Sequence, residues 1–451
     1  MGLAPRDAGV MFGARLTFAF HAYSLPMLRL ATLFGALLCA LPATAQGAFN
    51  LLELGAAPGT LALGEAGVAV PTSEPQAFLY NPAHLSAAAG TSHLTLSGYQ
   101  PTRWFALNLQ TIALSGGLAP AQTGWLVYLG AGVSYTRQAD AMPREIRSET
   151  NELIGSMTAG QRAWSVGVGV GYAGPVETHL GITLRRLGAG VDVEGGSTES
   201  DGLEEFRNAT AAATAFDLGI LVRAPIAQLA GLRTHDAEAG LALDIALGYA
   251  LSGLGGRNTT DAGLSIEGPL SRRVRLGWSV QVGYDLNFGG GPLRIVELTG
   301  VAQADRGLLR RQINGNYAAP FVDPLAALTG SGKANEFDQP EPGSGPGVIE
   351  FGHTGRRGVE FTMLETLTLR LGRHQGEMEF QCDGDQAGAC ETSGIELSTG
   401  GVLRALGSIL DQPRWHALGG RFDLRYTYAS HPIADAFHVL TLRIAPFAAT
   451  P

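Results

Sequence analysis

Several stretches of this 451-residue sequence carry residue types that could support chemistry. Residues 169–174 have the GxGxxG spacing of a dinucleotide-binding loop, and residues 330–333 contain the Gly-Lys pair of a phosphate-binding loop. Cys382 and Cys390 flank a polar stretch and could form a disulfide or contribute to a metal site. Each possibility depends on the structural element that would hold the residues.

Neither glycine-rich stretch has the context that its chemistry requires. A dinucleotide loop joins a strand to a helix, whereas residues 169–174 lie within an alternating stretch that runs into Pro175. After residues 330–333 comes Ala334, where a phosphate loop has the Ser or Thr that binds magnesium. The histidines lack the spacing of metal ligands, and Glu204 and Glu205 are expected to be solvated in a loop. The sequence therefore predicts no catalytic residue, no cofactor and no metal, and a protein that is not an enzyme.

The cysteines are better explained by a disulfide. Cys39 lies in an apolar N-terminal run, which leaves Cys382 and Cys390 on either side of a Gly- and Asp-rich stretch. A metal site would need further ligands at close spacing, and only distant histidines are available. In an exported protein two such cysteines most simply close a loop. We predict a disulfide between Cys382 and Cys390.

The N-terminus has the pattern of an export signal. Arg29 precedes an apolar run over residues 30–41, and Pro42 and the small residues Ala43-Thr44-Ala45 follow. The run is too short for a comfortable transmembrane helix. We expect residues 1–45 to comprise an N-terminal extension and a signal peptide cleaved near Ala45, with either Met1 or Met27 as the start. The expected location is the outer membrane of a Gram-negative bacterium.

Beyond Ala45 the sequence alternates with the period of β-strands. About fourteen segments follow this pattern, at residues 91–99, 104–114, 124–137, 162–173, 177–193, 212–223, 238–251, 272–288, 292–304, 358–371, 375–381, 394–403, 414–429 and 434–445. Many have ten or more residues, about what a tilted strand needs to cross a bilayer, whereas soluble strands average about five or six. The predicted fold class is all-β, a closed transmembrane antiparallel barrel of about 14 strands.

Two segments show the expected faces most clearly. In residues 165–172 the valines share one face and Gly167, Gly169 and Gly171 share the other. In residues 277–288, Trp278 begins an apolar face, and Asp285 lies on the polar face opposite. Lipid outside and a wet lumen inside require such an arrangement.

The connections and the net charge agree with a barrel. Short Gly- or Pro-centred turns at 173–175 and 289–292 contrast with long polar connections at 138–161, 194–211 and 305–357. The net charge is −9, and no long basic run is present, so nucleic acid is not an expected partner.

Both ends of the chain carry a family resemblance. Residues 49–70 form a Gly-rich apolar leader, and residues 76–85 read Gln-Ala-Phe-Leu-Tyr-Asn-Pro-Ala-His-Leu. This resembles the opening of the PorV/PorQ group of outer-membrane proteins within the FadL-like barrel superfamily. Late stretches resemble the group's closing strands, namely residues 358–361, 367–372, 399–401 and 424–428. Two features depart from the group: residues 448–451 follow Phe447, and the connection at 305–357 has no counterpart.

The resemblance implies a barrel of about fourteen strands and leaves three functions open. PorV-like proteins imply an accessory role in type IX secretion, with outer-membrane lipid and a secreted cargo protein or the translocon as partners. A FadL-like channel would instead take up hydrophobic small molecules. The third alternative is a structural or adhesive surface protein.

The N-terminal segment 46–90 is expected to fold into the lumen of a barrel formed by residues 91–447. It is too apolar to stand alone in water and too rich in Gly and Pro to be a lipid-facing strand throughout. Within it, Tyr80, Asn81 and Pro82 form the predicted plug motif. Asparagine caps locally and proline fixes φ, so a turn is expected there.

Overall fold

Long β-strands make up most of the part of the chain that the structure describes. This computed structural model describes residues 57–90, 93–104, 107–120, 126–140, 144–147, 153–194, 210–231, 239–255, 259–261, 270, 273–288, 291–307, 310–311, 317–318, 353–375, 389–430 and 436–445.

Fourteen of the strands are long enough to cross a membrane or nearly so. They are β1 His93–Trp104, β2 Leu107–Leu118, β3 Val127–Asp140, β5 Leu153–Tyr172, β6 Glu177–Glu194, β7 Thr210–Pro225, β8 Ala239–Gly255, β10 Arg273–Phe288, β11 Gly291–Gly307, β14 His353–Met363, β15 Leu367–Gln375, β16 Ala389–Ser398, β17 Phe422–Ser430 and β18 Phe437–Ile444. Four short strands accompany them: β4 Arg144–Arg147, β9 Thr259–Asp261, β12 Arg310–Arg311 and β13 Tyr317–Ala318.

The fourteen long strands close into one antiparallel barrel. Each pairs with its neighbours along the chain, and β3 pairs directly with β5, with Val127 opposite Tyr172. The first and last strands also pair, with Leu94 opposite Ile444. This closure removes the open sheet edges that lipid does not tolerate. The predicted fold class, a closed transmembrane antiparallel barrel, is confirmed.

The outer face of the barrel is an apolar belt. In β10, Trp278 is 41% exposed whereas Ser279 is 1% exposed, and in β5 the valines face out while the glycines between them are buried. Exposed apolar side chains occur on all sides, including Leu94, Ile112, Val166, Ile182, Leu247, Trp278, Leu298, Phe361, Leu371, Leu397 and Leu440. A surface of this kind is stable only against lipid, so the belt is the membrane-facing surface.

The two ends of the barrel differ in their connections. At one end, here called the turn end, the connections include residues 173–176, 289–290 and 364–366. At the other, the loop end, they include residues 141–152, 195–209 and 308–352. The expected asymmetry holds only in part, because the turn end also carries the long connection 399–421 and the loop end the short connection between β1 and β2. In addition, β3 and β5 extend into the connection predicted at 138–161.

Residues 57–90, here called the luminal segment, lie inside the barrel. They form α1 Pro58–Ala62, a 3-10 turn Ala77–Leu79, α2 His84–Ala87 and a second 3-10 turn Ala88–Gly90. Pro58 suits the first turn of α1, where its missing N–H would have no helical partner. Most of the segment is buried, and its apolar residues, such as Leu61, Phe78 and Leu85, form small clusters.

Short helices also lie at the turn end. Ile226–Leu229 forms α3, Thr399–Ile409 forms α4 and Pro413–Arg421 forms α5. The hydroxyl of Ser398 accepts a 2.8 Å hydrogen bond from the Gly401 amide and caps α4, and Asp423 accepts another from the Gly400 amide. Within the described ranges no helix is both long and apolar enough to cross a membrane.

Three predicted strand segments were wrong in detail. The segments 394–403 and 414–429 contain the start of α4 and most of α5, so Thr399–Gly401 is a capped helix start and not part of a strand. The segment 358–371 is two strands, since Leu364 and Glu365 take positive φ in a tight turn. Of the segment 375–381, only Gln375 is described, as the end of β15; residues 376–381 lie outside the described residues. The expected strand number nevertheless holds, because the split adds one strand.

Candidate functional site

Asn81 joins the luminal segment to itself and to the barrel wall. It is fully buried, and its Nδ2 donates hydrogen bonds to the carbonyls of Val68, at 2.8 Å, and Ile220, at 3.0 Å. Its Oδ1 accepts a 3.1 Å hydrogen bond from the Ala83 amide. On the wall strand β7, Gly219 has no side chain, and a Cβ there would collide with Oδ1. One amide side chain thus links two parts of the luminal segment to β7.

Two buried arginines of the wall hold the 3-10 turn Ala77–Leu79. Arg185 of β6 donates a 2.6 Å hydrogen bond to the Leu79 carbonyl, and the same guanidinium forms an ion pair with Asp217 at 2.5 Å. Arg275 of β10 donates a 3.3 Å hydrogen bond to the Tyr80 carbonyl and lies over the Tyr80 ring, 5.6 Å from its centroid. Both guanidiniums act on the carbonyl end of the turn, where positive charge is favourable.

A third arginine, Arg356 of β14, holds the first half of the luminal segment. It forms an ion pair with Glu65 of the segment and another, at 3.1 Å, with Asp305 of β11. Asp305 also pairs with Arg275 at 3.4 Å. The network therefore links both halves of the segment through the wall.

Further wall side chains bond to the backbone of the luminal segment. Thr392 accepts from the Gly64 amide at 2.9 Å and donates to the Ala62 carbonyl at 3.0 Å. Gln303 accepts from the Val68 amide, and Ser279 donates to the Ala69 carbonyl. Because these partners are backbone groups, their positions depend on the path of the chain more than on side-chain identity.

Glycines of the wall let the luminal segment approach closely. A Cβ on Gly169 of β5 would lie 2.9 Å from the Ser86 amide nitrogen, and one on Gly358 of β14 would lie 2.7 Å from the Leu63 carbonyl. Gly130, Gly181 and Gly248 face the segment's backbone at still closer range. The glycine face of residues 165–172 thus accommodates the luminal segment.

His84 is an internal polar group of the luminal segment. Its Nε2 lies 2.9 Å from the Gly67 carbonyl, which can only accept, so Nε2 carries the ring proton. Burial lowers the pKa of His84 to about 4, and the ring is neutral at physiological pH. A neutral ring that bonds one carbonyl fixes local structure and is poorly placed for acid–base chemistry.

A cavity of about 430 Å³ lies between the luminal segment and the turn end. Most of its charged lining is paired: Arg294 bonds Asp285 at 2.7 Å, and Arg370 bonds Glu396 at 2.9 Å. Arg404 and Arg425 also face carboxylates, at 2.6 Å from Glu365 and 2.6 Å from Asp423. The lining is polar and highly charged, and suits water and hydrophilic groups.

Glu74 of the luminal segment also lines this cavity. Its Oε1 accepts a 2.8 Å hydrogen bond from the Gly59 amide, and its Oε2 has no hydrogen-bond partner among the described residues. Burial raises the pKa of the Glu74 carboxyl to about 7 against the attraction of Arg370, with smaller contributions from Glu396 and Glu360. The luminal segment therefore contributes a carboxyl that titrates near neutrality.

The sequence-predicted site residues fall into three groups. Tyr80, Asn81 and Pro82 lie together at the contact between the luminal segment and the wall, with Pro82 against Gly181. Cys390 is buried at the start of β16, and Cys382 lies outside the described residues, so their disulfide stays a prediction. Residues 330–333 and Glu204–Glu205 also lie outside them.

Sequence reasoning missed the wall arginines and the charged cavity. The inward direction of three arginines could be predicted from strand alternation, namely Arg185, Arg275 and Arg356. Their ion-pair partners could not be predicted, because they are far away in sequence. Within the described part of the chain no cluster of three or more His, Cys, Asp or Glu residues is arranged for a metal ion.

Comparison with known proteins gives structural likeness only. Neither a protein-family model nor a curated protein sequence matches this chain. The toluene transporter TodX of Pseudomonas putida aligns with a TM-score of 0.38 and 12% identity, over 87% of this chain and 98% of its own. The CymD monoaromatic hydrocarbon channel aligns with a TM-score of 0.36 and 11% identity, over 89% and 100%. The translocator domain of the autotransporter NalP from Neisseria meningitidis aligns with a TM-score of 0.33 and 13% identity, over 79% and 88%.

At these identities and scores the likeness transfers neither a ligand nor a mechanism. The PorV/PorQ resemblance has no matching family model and stays a prediction.

Proposed function

We propose that this chain is an outer-membrane channel for small molecules, gated by the luminal segment. The observation that carries the proposal is how the segment is held. Arg185 and Arg275 of the wall donate to backbone carbonyls of the segment, and Asn81 of the segment donates to the Ile220 carbonyl of the glycine-lined wall. Such hydrogen bonds contribute about 1–3 kcal/mol each, and water can replace them when the segment moves. A segment held by such bonds can close the lumen and can also move away from the wall.

The proposed route passes the charged cavity at the turn end. Its ion-paired lining offers water and polar groups a path, and little apolar surface for a ligand to bind. Among the three functions that the resemblance left open, the FadL-like channel fits a gated lumen best. Hydrophobic small molecules, the substrate class of FadL-like channels, enter this proposal only as what the resemblance implies, because the cavity itself suits hydrophilic groups.

The proposal is tested in proteoliposomes that contain the purified full chain. The wild type should retain an encapsulated hydrophilic dye, and Asn81→Ala should release it at least tenfold faster. A matched control is Thr136→Val, because Thr136 is a buried wall residue that accepts a hydrogen bond from Thr111 of the neighbouring strand. Proteoliposomes that contain this control variant should retain the dye as the wild type does.

Uptake assays then separate the substrate classes. Entry of naphthalene should exceed that of naphthalenesulfonate in the wild type if the channel serves hydrophobic molecules. Equal dye release from Asn81→Ala and wild type, with the luminal segment shown to be displaced, would exclude a luminal channel. Tight retention together with binding of a secreted protein's C-terminal β domain would favour the type IX secretion role instead.

A further inference from the structure

A separate feature lies on the outer surface of the barrel, toward the loop end. Strand register places one row of outward residues across β10, β11, β14, β15 and β16: Trp278, Ala302, Arg357, Arg373 and Glu391. The next row toward the turn end is Val280, Gly300, Val359, Leu371 and Ser393. The first row carries two arginines, and the second is mostly apolar.

A groove of about 580 Å³ runs along these rows. Gly300 forms its floor, since a Cβ there would have no atom within 4 Å, and Ala302 adds only a methyl group. Trp278, Val359 and Leu371 border it and are 41%, 50% and 67% exposed. Because this surface belongs to the membrane-facing belt, the groove is open to acyl chains.

Arg357 and Arg373 face each other directly across β14 and β15. Like charges directly opposite each other destabilise a sheet, and an anion between them would offset the repulsion. Among the ion pairs of the described residues none includes either guanidinium, even though Glu391 stands beside Arg373 in the same row. An anion positioned at the top of the groove would satisfy both arginines.

We propose that Arg357 and Arg373 bind the phosphate of a lipid headgroup while one acyl chain of that lipid occupies the groove. Arginine forks bind phosphate through paired hydrogen bonds. Basic side chains at the edge of a membrane-facing surface attract anionic headgroups. The charge lies at one end of the groove and the apolar lining along its length, which matches the two parts of a phospholipid.

The barrel also provides a matched control. Arg137 and Arg162 face each other across β3 and β5, and both are exposed. The side chain of Arg162 lies over Gly188, and its Nε is 3.2 Å from the position that a Cβ would take there. The space beside this glycine is therefore filled by the arginine. This pair has the same charge as Arg357 and Arg373 without the groove.

The experiment is a titration of the purified full chain in detergent with phosphatidylglycerol, followed by native mass spectrometry. One lipid should stay bound per chain, and diacylglycerol, which lacks the phosphate, should bind at least tenfold more weakly. Replacing both groove arginines (Arg357→Gln with Arg373→Gln) should weaken binding at least tenfold. Gly300→Leu, which fills the groove and leaves the arginines intact, should do the same. The control, Arg137→Gln with Arg162→Gln, should stay within twofold of wild type.

Three results would overturn the proposal. An equal loss in the control would show diffuse charge attraction. Unchanged binding in Gly300→Leu, with competition by inorganic phosphate, would show a free-phosphate site. Unchanged binding in every variant would show that the groove holds no specific lipid. Heat-modifiable gel migration checks that each variant is still a folded barrel.

Discussion

Removing the Asn81 side chain is the most direct test of whether the luminal segment is a separable gate. Asn81→Ala deletes three hydrogen bonds: those to the Val68 and Ile220 carbonyls and the one from the Ala83 amide. Each contributes about 1 kcal/mol net, and the stranded buried backbone groups add to the loss. Only the bond to Ile220 crosses to the wall, and the other two lie within the segment. We therefore expect the docked, folded segment to lose about 3–5 kcal/mol relative to a state in which it has left the wall and its own turns have opened.

Hydrogen exchange measures this loss directly. Amides inside the segment, such as those of Leu79, Tyr80 and Leu85, donate to carbonyls of the segment itself. If the segment leaves the wall and opens as a unit, their exchange should accelerate by about a hundredfold to several thousandfold, since 1.4 kcal/mol corresponds to a factor of ten. Amides of β7 and β8 should keep their wild-type rates, and Thr136→Val should change neither set.

Two outcomes would refute this reasoning. Acceleration below tenfold in the segment would show that Asn81 does not hold it in place. Equal acceleration in the segment and in β7 and β8 would show that the segment is part of a single cooperative core, with no independent opening.

Three further predictions test the neighbouring contacts. Gly219→Ala should displace Asn81 and raise exchange in the luminal segment at least tenfold, whereas Gly190→Ala, with open space around its Cβ, should have no effect; equal effects would reject close approach as the cause. Glu74→Gln should stabilise the docked segment over wild type by an amount that is absent near pH 4 and grows between pH 4.5 and about 7. The reason is that the wild-type carboxyl, with a pKa raised to about 7, opposes docking once the pH exceeds the ordinary pKa of a glutamate. A stability difference between Glu74→Gln and wild type that does not vary with pH would contradict this. A disulfide between Cys382 and Cys390 should leave no free thiol at those positions in non-reduced, denatured protein, and should contribute about 2–3 kcal/mol; two titratable thiols would exclude it.

The sequence predicted the barrel because its physical cause is local. Alternation in residues such as 277–288 assigns each side chain to lipid or lumen without knowledge of its neighbours. The strand number follows from the same pattern. The helices α4 and α5 were missed because one predicted strand was extended across Ser398, which caps α4, and the next was started directly after Pro413, which begins α5.

The functional contacts could not be predicted in the same way, as the wall glycines show. Gly219 and Gly300 both lie within long strands, and the flanking sequence indicates only the side of the sheet that each faces. Gly219 faces the lumen and is required by the Asn81 side chain, 138 positions earlier, whereas Gly300 faces outward and leaves open space. The same residue type therefore makes room for the backbone of the luminal segment in one place and forms the floor of a membrane-facing groove in the other. Strand alternation supplies the direction of each glycine, but its role depends on what lies across from it, and that is fixed only when the barrel closes around residues 57–90.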